Sequence, residues 1–256
     1  MLQMIALAGE GKGDMGYCTN SQEICSGNAL DAGPVARLLL KLIHQHLPDW
    51  NADCLNLHDP ASHFTYLSNS WLSTQTKANR RQVFVGKQVH KGFEEHFRRA
   101  KVLAEYALDE EHPHELAAYF HDTDGTRSEL ADMPDRQEKL MQAIKGGFRA
   151  AEFEGKGLTL VPKPTSEAWF ICATKPNPYQ HCAQLADELS GNDRSPERAP
   201  KTILGQYLQN PDYTRHDLNE LVEQIDVARI DMPCFNALRE QVKTAITAVC
   251  GTVKEQ

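Results

Sequence analysis

The chain has 256 residues, 41% hydrophobic and 24% charged, with a formal net charge of -8. This composition excludes a disordered chain and supports a sizeable core in one large domain or two small ones. The negative balance excludes a module that grips nucleic acid through a global basic field. It leaves room for an enzyme that reaches nucleic acid through a local patch and a metal ion.

The seven cysteines, Cys18, Cys25, Cys54, Cys172, Cys182, Cys234 and Cys250, form no C-x-x-C pair and are odd in number. The expectation is therefore neither zinc nor a disulfide framework, but buried reduced thiols in a cytosolic protein. The apolar start, Met1 to Ala8, lacks the basic flank and cleavage site of a signal peptide. No apolar run approaches the ~20 residues of a membrane-spanning helix. The expected location is cytoplasmic, with no membrane partner.

In chain order, Met4 to Ala8 is short and apolar on both faces, which predicts a fully buried strand. Residues 17–28 are polar and read as a loop. Residues 29–47 carry helical spacing at Val35, Leu38, Leu39, Leu42 and Ile43, with Asn28 or Asp31 as cap and Pro48 past the end. A second strand is expected at 53–57. Residues 58–81, rich in Ser, Thr, Asn and His around Trp71, read as an inserted loop near the site, and 83–85 as a short strand. The spacing of Phe93, Phe97, Val102, Leu103 and Tyr106 predicts a helix over 89–108, whose Arg98, Arg99 and Lys101 read as a solvated face, with phosphate contact as the alternative. A strand at 115–120, a helix at 137–151 and a strand at 158–161, stopped by Pro162 and Pro164, complete the alternation.

Strands alternating with helices predict an α/β fold with a mostly parallel sheet flanked by helices. Beyond Pro164 only helices are expected, at 166–173, 178–189, 200–208, 214–225 and 233–249. The expected division is an α/β domain over 1–165, with an insertion at about 58–92, and an all-helical C-terminal extension over 166–256 packing on it.

Ligand sites of parallel sheets lie outside the C-terminal ends of the strands. The apolar run Leu116 to Phe120 ends in His121-Asp122-Thr123-Asp124-Gly125. Side chains two apart on a strand point the same way, so Asp122 and Asp124 are expected together at its tip. Mg²⁺ favours such oxygen ligands; the competing reading is an Asp-rich turn. Glu10 follows the first strand and Glu167 the last, at the same predicted edge.

Two other patterns fail on physical grounds. Gly11-x-Gly13-x-x-Gly16 matches a dinucleotide fingerprint, but no helix is expected to start at its third glycine, where a pyrophosphate needs one. Lys12 is followed by glycine, so there is no Walker P-loop. The histidines His44, His46, His58, His63, His112, His114 and His121 suit no ligand set, and only His121, beside the aspartates, stands out.

The islands Ala8-Gly9-Glu10-Gly11-Lys12-Gly13-Asp14, Phe120-His121-Asp122-Thr123-Asp124-Gly125, the proline-rich turn Val161 to Trp169, and Ile225 to Arg229 with Pro233-Cys234-Phe235 together resemble the Toprim domain. That domain is shared by topoisomerases, primases and nucleases of the overcoming-lysogenization-defect type. The nearest likeness is to bacterial Toprim-like proteins associated with defence against phage. The chain departs from the pattern in the loop 17–28, where a helix normally follows the glutamate, and in the length between motifs.

The resemblance implies a metal-dependent nuclease on DNA or RNA. Glu10, Asp122 and Asp124 would be catalytic and hold Mg²⁺ or Mn²⁺, with Asp14 and Glu167 as ligands of a second ion. Lys12 and Lys163 would contact a phosphate. No tyrosine presents itself as a strand-passage nucleophile, which favours hydrolysis. The implied partners are nucleic acid and an ATPase subunit, with a homo-oligomer left open. The rival expectation is a non-catalytic Toprim-like subunit of an ATPase complex, in which the carboxylates are structural.

Overall fold

The computed structural model of the chain describes residues 4–11, 13–47, 55–78, 89–111, 113–123, 135–190 and 195–251. The strands are β1 (Ile5–Gly9), β2 (Gly16–Cys18), β3 (Ile24–Ser26), β4 (Leu30–Ala32), β5 (Phe64–Leu67), β6 (Leu116–Phe120) and β7 (Gly157–Leu160). Five of them form one sheet in the order β3-β5-β1-β6-β7. The last four in that order run parallel, and β3 is an antiparallel edge strand on β5. β2 and β4 make a separate antiparallel pair. The helices are α1 (Pro34–His46), α2 (Asn69–Ala78), α3 (Glu94–Ala107), α4 (Arg136–Ala150), α5 (Glu167–Thr174), α6 (Leu185–Glu188), α7 (Pro200–Tyr207), α8 (Arg215–Gln224) and α9 (Pro233–Cys250). The α/β expectation therefore holds: a mostly parallel sheet flanked by helices, followed by helices alone.

Strand alternation divides the core into two layers. Ile5 and Leu7 of β1 face Leu38 and Leu42 of α1, Trp169 of α5, and Phe235 and Leu238 of α9. Ala6 and Ala8 face Phe97 and Leu103 of α3 and Leu140 and Ile144 of α4. Both faces of β1 are thus covered, which is why it is apolar without interruption. Each fully buried leucine or phenylalanine contributes about 1.5–3 kcal/mol. The C-terminal helices share one core with α1 and the sheet, and α9 covers the outer edge of β7: the Thr159 amide donates to Gln241 Oε1 at 3.1 Å.

Several expectations change. β1 lies between β6 and β5, the latter inside the segment read as an insertion; of the strand expected at 53–57, residues 53 and 54 lie outside the described residues and 55 and 56 have no regular structure. The polar residue of β5, Thr65, is buried but satisfied by His114 Nε2 at 2.8 Å, so a Thr-His pair disguised a core strand. The short strand expected at 83–85 lies outside the described residues. Residues 17–28 are not a loop throughout, since they complete β2 and contain β3. Because 30–32 are in β4, α1 begins only at Pro34, with Gly33 as cap in place of Asn28 or Asp31. A Cβ at Gly33 would lie 2.2 Å from the Asp14 carbonyl oxygen, so only glycine lets the two segments meet. The helix expected over 178–189 shrinks to α6 preceded by a 3₁₀ turn.

The cysteine expectation is corrected too. Cys18–Cys25 and Cys172–Cys182 are disulfides, while buried Cys234 keeps its thiol, whose Sγ accepts from the Trp169 indole N–H at 3.3 Å. The first joins the end of β2 to β3, and the second ties α5 to the turn before α6. The odd count hid two local pairs, only 7 and 10 residues apart in sequence. Among the described residues no helix is long and apolar enough to cross a membrane.

Candidate functional site

Parallel pairing brings the exits of β1, β6 and β7 to one edge. Gly9 ends β1 hard against β6, where an added Cβ would come within 2.7 Å of Phe120. The Glu10 amide donates to the Phe120 carbonyl at 3.1 Å, and the His121 amide to the Leu160 carbonyl at 3.0 Å. The Thr123 hydroxyl then donates to the carbonyls of Pro162 and Pro164, both at 3.0 Å, so the β6 tail runs beside the turn that leads into α5. Proline lacks an N–H, so Thr123 supplies the donor that this turn cannot.

The carboxylates meet across this edge through one residue. Buried Ser166, at the start of α5, donates its amide to Asp122 Oδ1 at 3.1 Å and its hydroxyl to Asp14 Oδ1 at 2.6 Å. A serine at this position ordinarily caps its own helix. Here its side chain makes no cap bond, and the hydroxyl goes to Asp14 instead. Burial raises the Asp14 carboxyl from 3.8 to about 6, helped by the nearby Glu167 and Glu10 and opposed by the Ser166 bond and Lys201. Glu167 is buried in the first turn of α5, beside this group.

Glu10 is held differently. His121 Nε2 lies 2.9 Å from Glu10 Oε2, and His121 Nδ1 lies 2.6 Å from the Asp122 carbonyl oxygen. Both partners are acceptors, so making both bonds at once needs a proton on each ring nitrogen. The bond from His121 holds the Glu10 carboxyl below its ordinary 4.5 against the opposing effect of burial. Behind His121, the His96 ring stands edge-on at 4.3 Å, with its Nδ1 3.2 Å from the Tyr119 hydroxyl. Burial, with His121 adding to it, drives His96 down to about 2, and burial pushes Tyr119 up to about 12. Arg99 is half-buried and bonded to Glu95, Asn69 and Ser73, not part of a solvated face.

The structure thus brings Glu10, Asp14, Asp122 and Glu167 to one sheet edge. Lys163 is paired to Asp187 at 3.2 Å, with about half its side chain exposed. Asp124 and Lys12 lie outside the described residues. Among the described residues no group of three or more His, Cys, Asp or Glu side chains has the spacing of a formed metal site. The four carboxylates nonetheless suit a hard divalent cation in donor type, and burial, with Glu167 and Glu10 adding to it, raises Asp14 among them.

Sequence reasoning missed Ser166, Tyr213 and Lys201. Tyr213 lines a cleft with Asp14 and Glu167, and burial together with those two carboxylates raises its phenol, which stays protonated and suits a donor better than a nucleophile. Tyr213 and Lys201 come from the loop before α8 and the first turn of α7, and no local pattern announces either. Comparison of the chain with protein-family models, curated proteins and solved structures returns no match.

Proposed function

We propose that the protein is a metal-dependent phosphodiester hydrolase of Toprim-like type, acting on DNA or RNA, with a role in bacterial defence against phage. The observation that carries this reading is the Ser166 bridge between Asp122 and Asp14, which gathers two carboxylates beside Glu10 and Glu167 at one sheet edge. Glu10, Asp122 and Asp124, with Asp14 beside them, would hold Mg²⁺ or Mn²⁺, and Glu167 would face the neighbouring cleft as an acceptor. Bound there, the cation supplies a Lewis acid that activates water and stabilises charge on a phosphodiester oxygen. Ser166 fixes the orientation of two carboxylates. His121 positions Glu10 and holds a proton against its Oε2. Tyr213 offers a hydroxyl donor to the cleft.

The test is cleavage of labelled single- and double-stranded DNA and RNA with Mg²⁺ or Mn²⁺, comparing the wild type with Asp122→Ala and Glu10→Ala. Cleavage abolished in both variants supports the reading. A wild type that cleaves nothing, alone or with the product of a neighbouring gene, rejects it. Two observations favour a second reading, a non-catalytic subunit of an ATPase complex: Glu10 is already engaged by His121, and no three-ligand group is formed among the described residues. Stable capture of an ATPase by an inactive wild type would select that reading.

A further inference from the structure

A cleft of about 380 Å³ opens beside the carboxylates, between the segment after β1, the start of α5, and helices α7 and α8. Its lining carries both signs of charge: Asp14 and Glu167, together with Ser166, and Lys201 and Arg215. Pro34, Pro211 and Leu218 add apolar surface.

Two observations point to a ligand. Glu167 is only 8% exposed, lines the cleft, and makes no hydrogen bond or ion pair with a described residue. Its carboxylate is held in a largely buried residue and opens to the cleft, where a donor or cation brought by a ligand would complete it. Lys201 is the second. It is exposed, lines the cleft and also has no hydrogen bond or ion pair with a described residue, yet it lies near enough to Asp14 to lower its carboxyl. Arg215, in contrast, is committed: it pairs with Asp31 and sits 4.5 Å over the Tyr17 ring. The first turn of α8 is closed by its own capping box of Thr214 and Asp217. Among the described lining residues, Lys201 is the cation left for a ligand.

Size and charge narrow the class. Pockets for small ligands start at ~300 Å³, so this cleft takes one nucleotide unit and not a duplex. A net charge of -8 also opposes a ligand that lays many phosphates along the surface, but not one that presents a single phosphate to a single lysine. We propose that the cleft binds one nucleoside phosphate unit, its phosphate on Lys201 and its hydroxyl or amine donors on Glu167. The proposal rests on the hydrolase reading above for its choice of phosphate ligands. Strand ends and free nucleotides share this chemistry.

The test is fluorescence anisotropy on the full chain, with Ca²⁺ replacing Mg²⁺ to hold hydrolysis off. The probes are labelled oligo(dT) and oligo(rU) of ~12 nucleotides, a duplex of equal length, and AMP as competitor. Single strands displaced by AMP assign the cleft to strand ends. AMP binding by calorimetry without single-strand binding assigns it to free nucleotides. In either case Lys201→Ala weakens binding about tenfold, Lys201→Arg keeps it, and the salt slope falls by about one in the alanine variant. Lys163→Ala changes nothing. Duplex binding as tight as single-strand binding, or affinity unmoved by Lys201→Ala, overturns the proposal. The two readings fail separately: Lys201-dependent binding without any cleavage in Mg²⁺ sinks hydrolysis alone, and cleavage at unchanged affinity in Lys201→Ala sinks the cleft assignment alone.

Discussion

Asp14→Asn should stabilise the metal-free protein, and the size of the gain should depend on pH. The Asp14 carboxyl titrates at about 6 in the folded chain against 3.8 ordinarily. A group whose folded value is raised favours the folded state at low pH, and that advantage disappears as pH rises through the window between the two values. Above it, the ionised Asp14 costs the fold about 3 kcal/mol, an upper figure because the side chain keeps some contact with water. Asparagine has the same shape, and its Oδ1 can still accept the Ser166 hydroxyl at the 2.6 Å position, but it carries no charge. For a chain of this length, melting rises by ~2–4 °C per kcal/mol, so the variant should melt about 6–12 °C above the wild type near pH 7.5. Near pH 5 the cost is about half as large, and the gain should shrink with it. The assay is thermal unfolding followed by circular dichroism in EDTA at both pH values. A variant that melts lower near pH 7.5, or whose gain is the same at both pH values, refutes the argument that Asp14 is an uncompensated buried charge.

Two further outcomes follow from the same geometry. His121→Asn removes the bond that holds Glu10 down, so the Glu10 carboxyl should move back up toward 4.5 in a ¹³C-detected NMR titration; an unmoved Glu10 contradicts the pairing. Replacing both Cys172 and Cys182 by serine opens a cross-link spanning 10 residues and should cost about 2–3 kcal/mol, seen as a lower denaturation midpoint. Rapid alkylation of either cysteine in the native, unreduced protein, read by mass spectrometry, would show that the bond is absent.

The parts of the fold that could be read from sequence were those whose pattern is set by burial on a regular element. β1 and β6 are continuous apolar runs because helices cover both faces of the sheet, β7 is marked by Leu158 and Leu160 between a glycine and two prolines, and α1, α3, α4 and α9 show their spacing because one side of each meets that sheet. β5 was hidden because its exposed-looking Thr65 is paid for by a histidine 49 residues away, a contact that no local pattern records. β3 and the Cys18–Cys25 bond escaped for a related reason: each rests on pairing between short segments, not on the composition of either. At the site, the rule that ligands gather at the C-terminal ends of parallel strands located Glu10, Asp122 and Glu167. It could not supply Ser166 as the residue joining Asp122 to Asp14, nor the Lys163–Asp187 pair, since both depend on the path of the turn that leads into α5.

The central claim is that the carboxylates at this sheet edge gather to hold a divalent cation. The most direct test is a crystal of the full chain soaked in Mn²⁺, with the anomalous signal collected at the manganese edge. The account places a peak within coordinating distance of Glu10 and Asp122, with the Glu10–His121 bond lengthened from its 2.9 Å as the carboxylate turns to the ion. A saturating soak that leaves that bond intact and puts no manganese at the exits of β1 and β6 would contradict it.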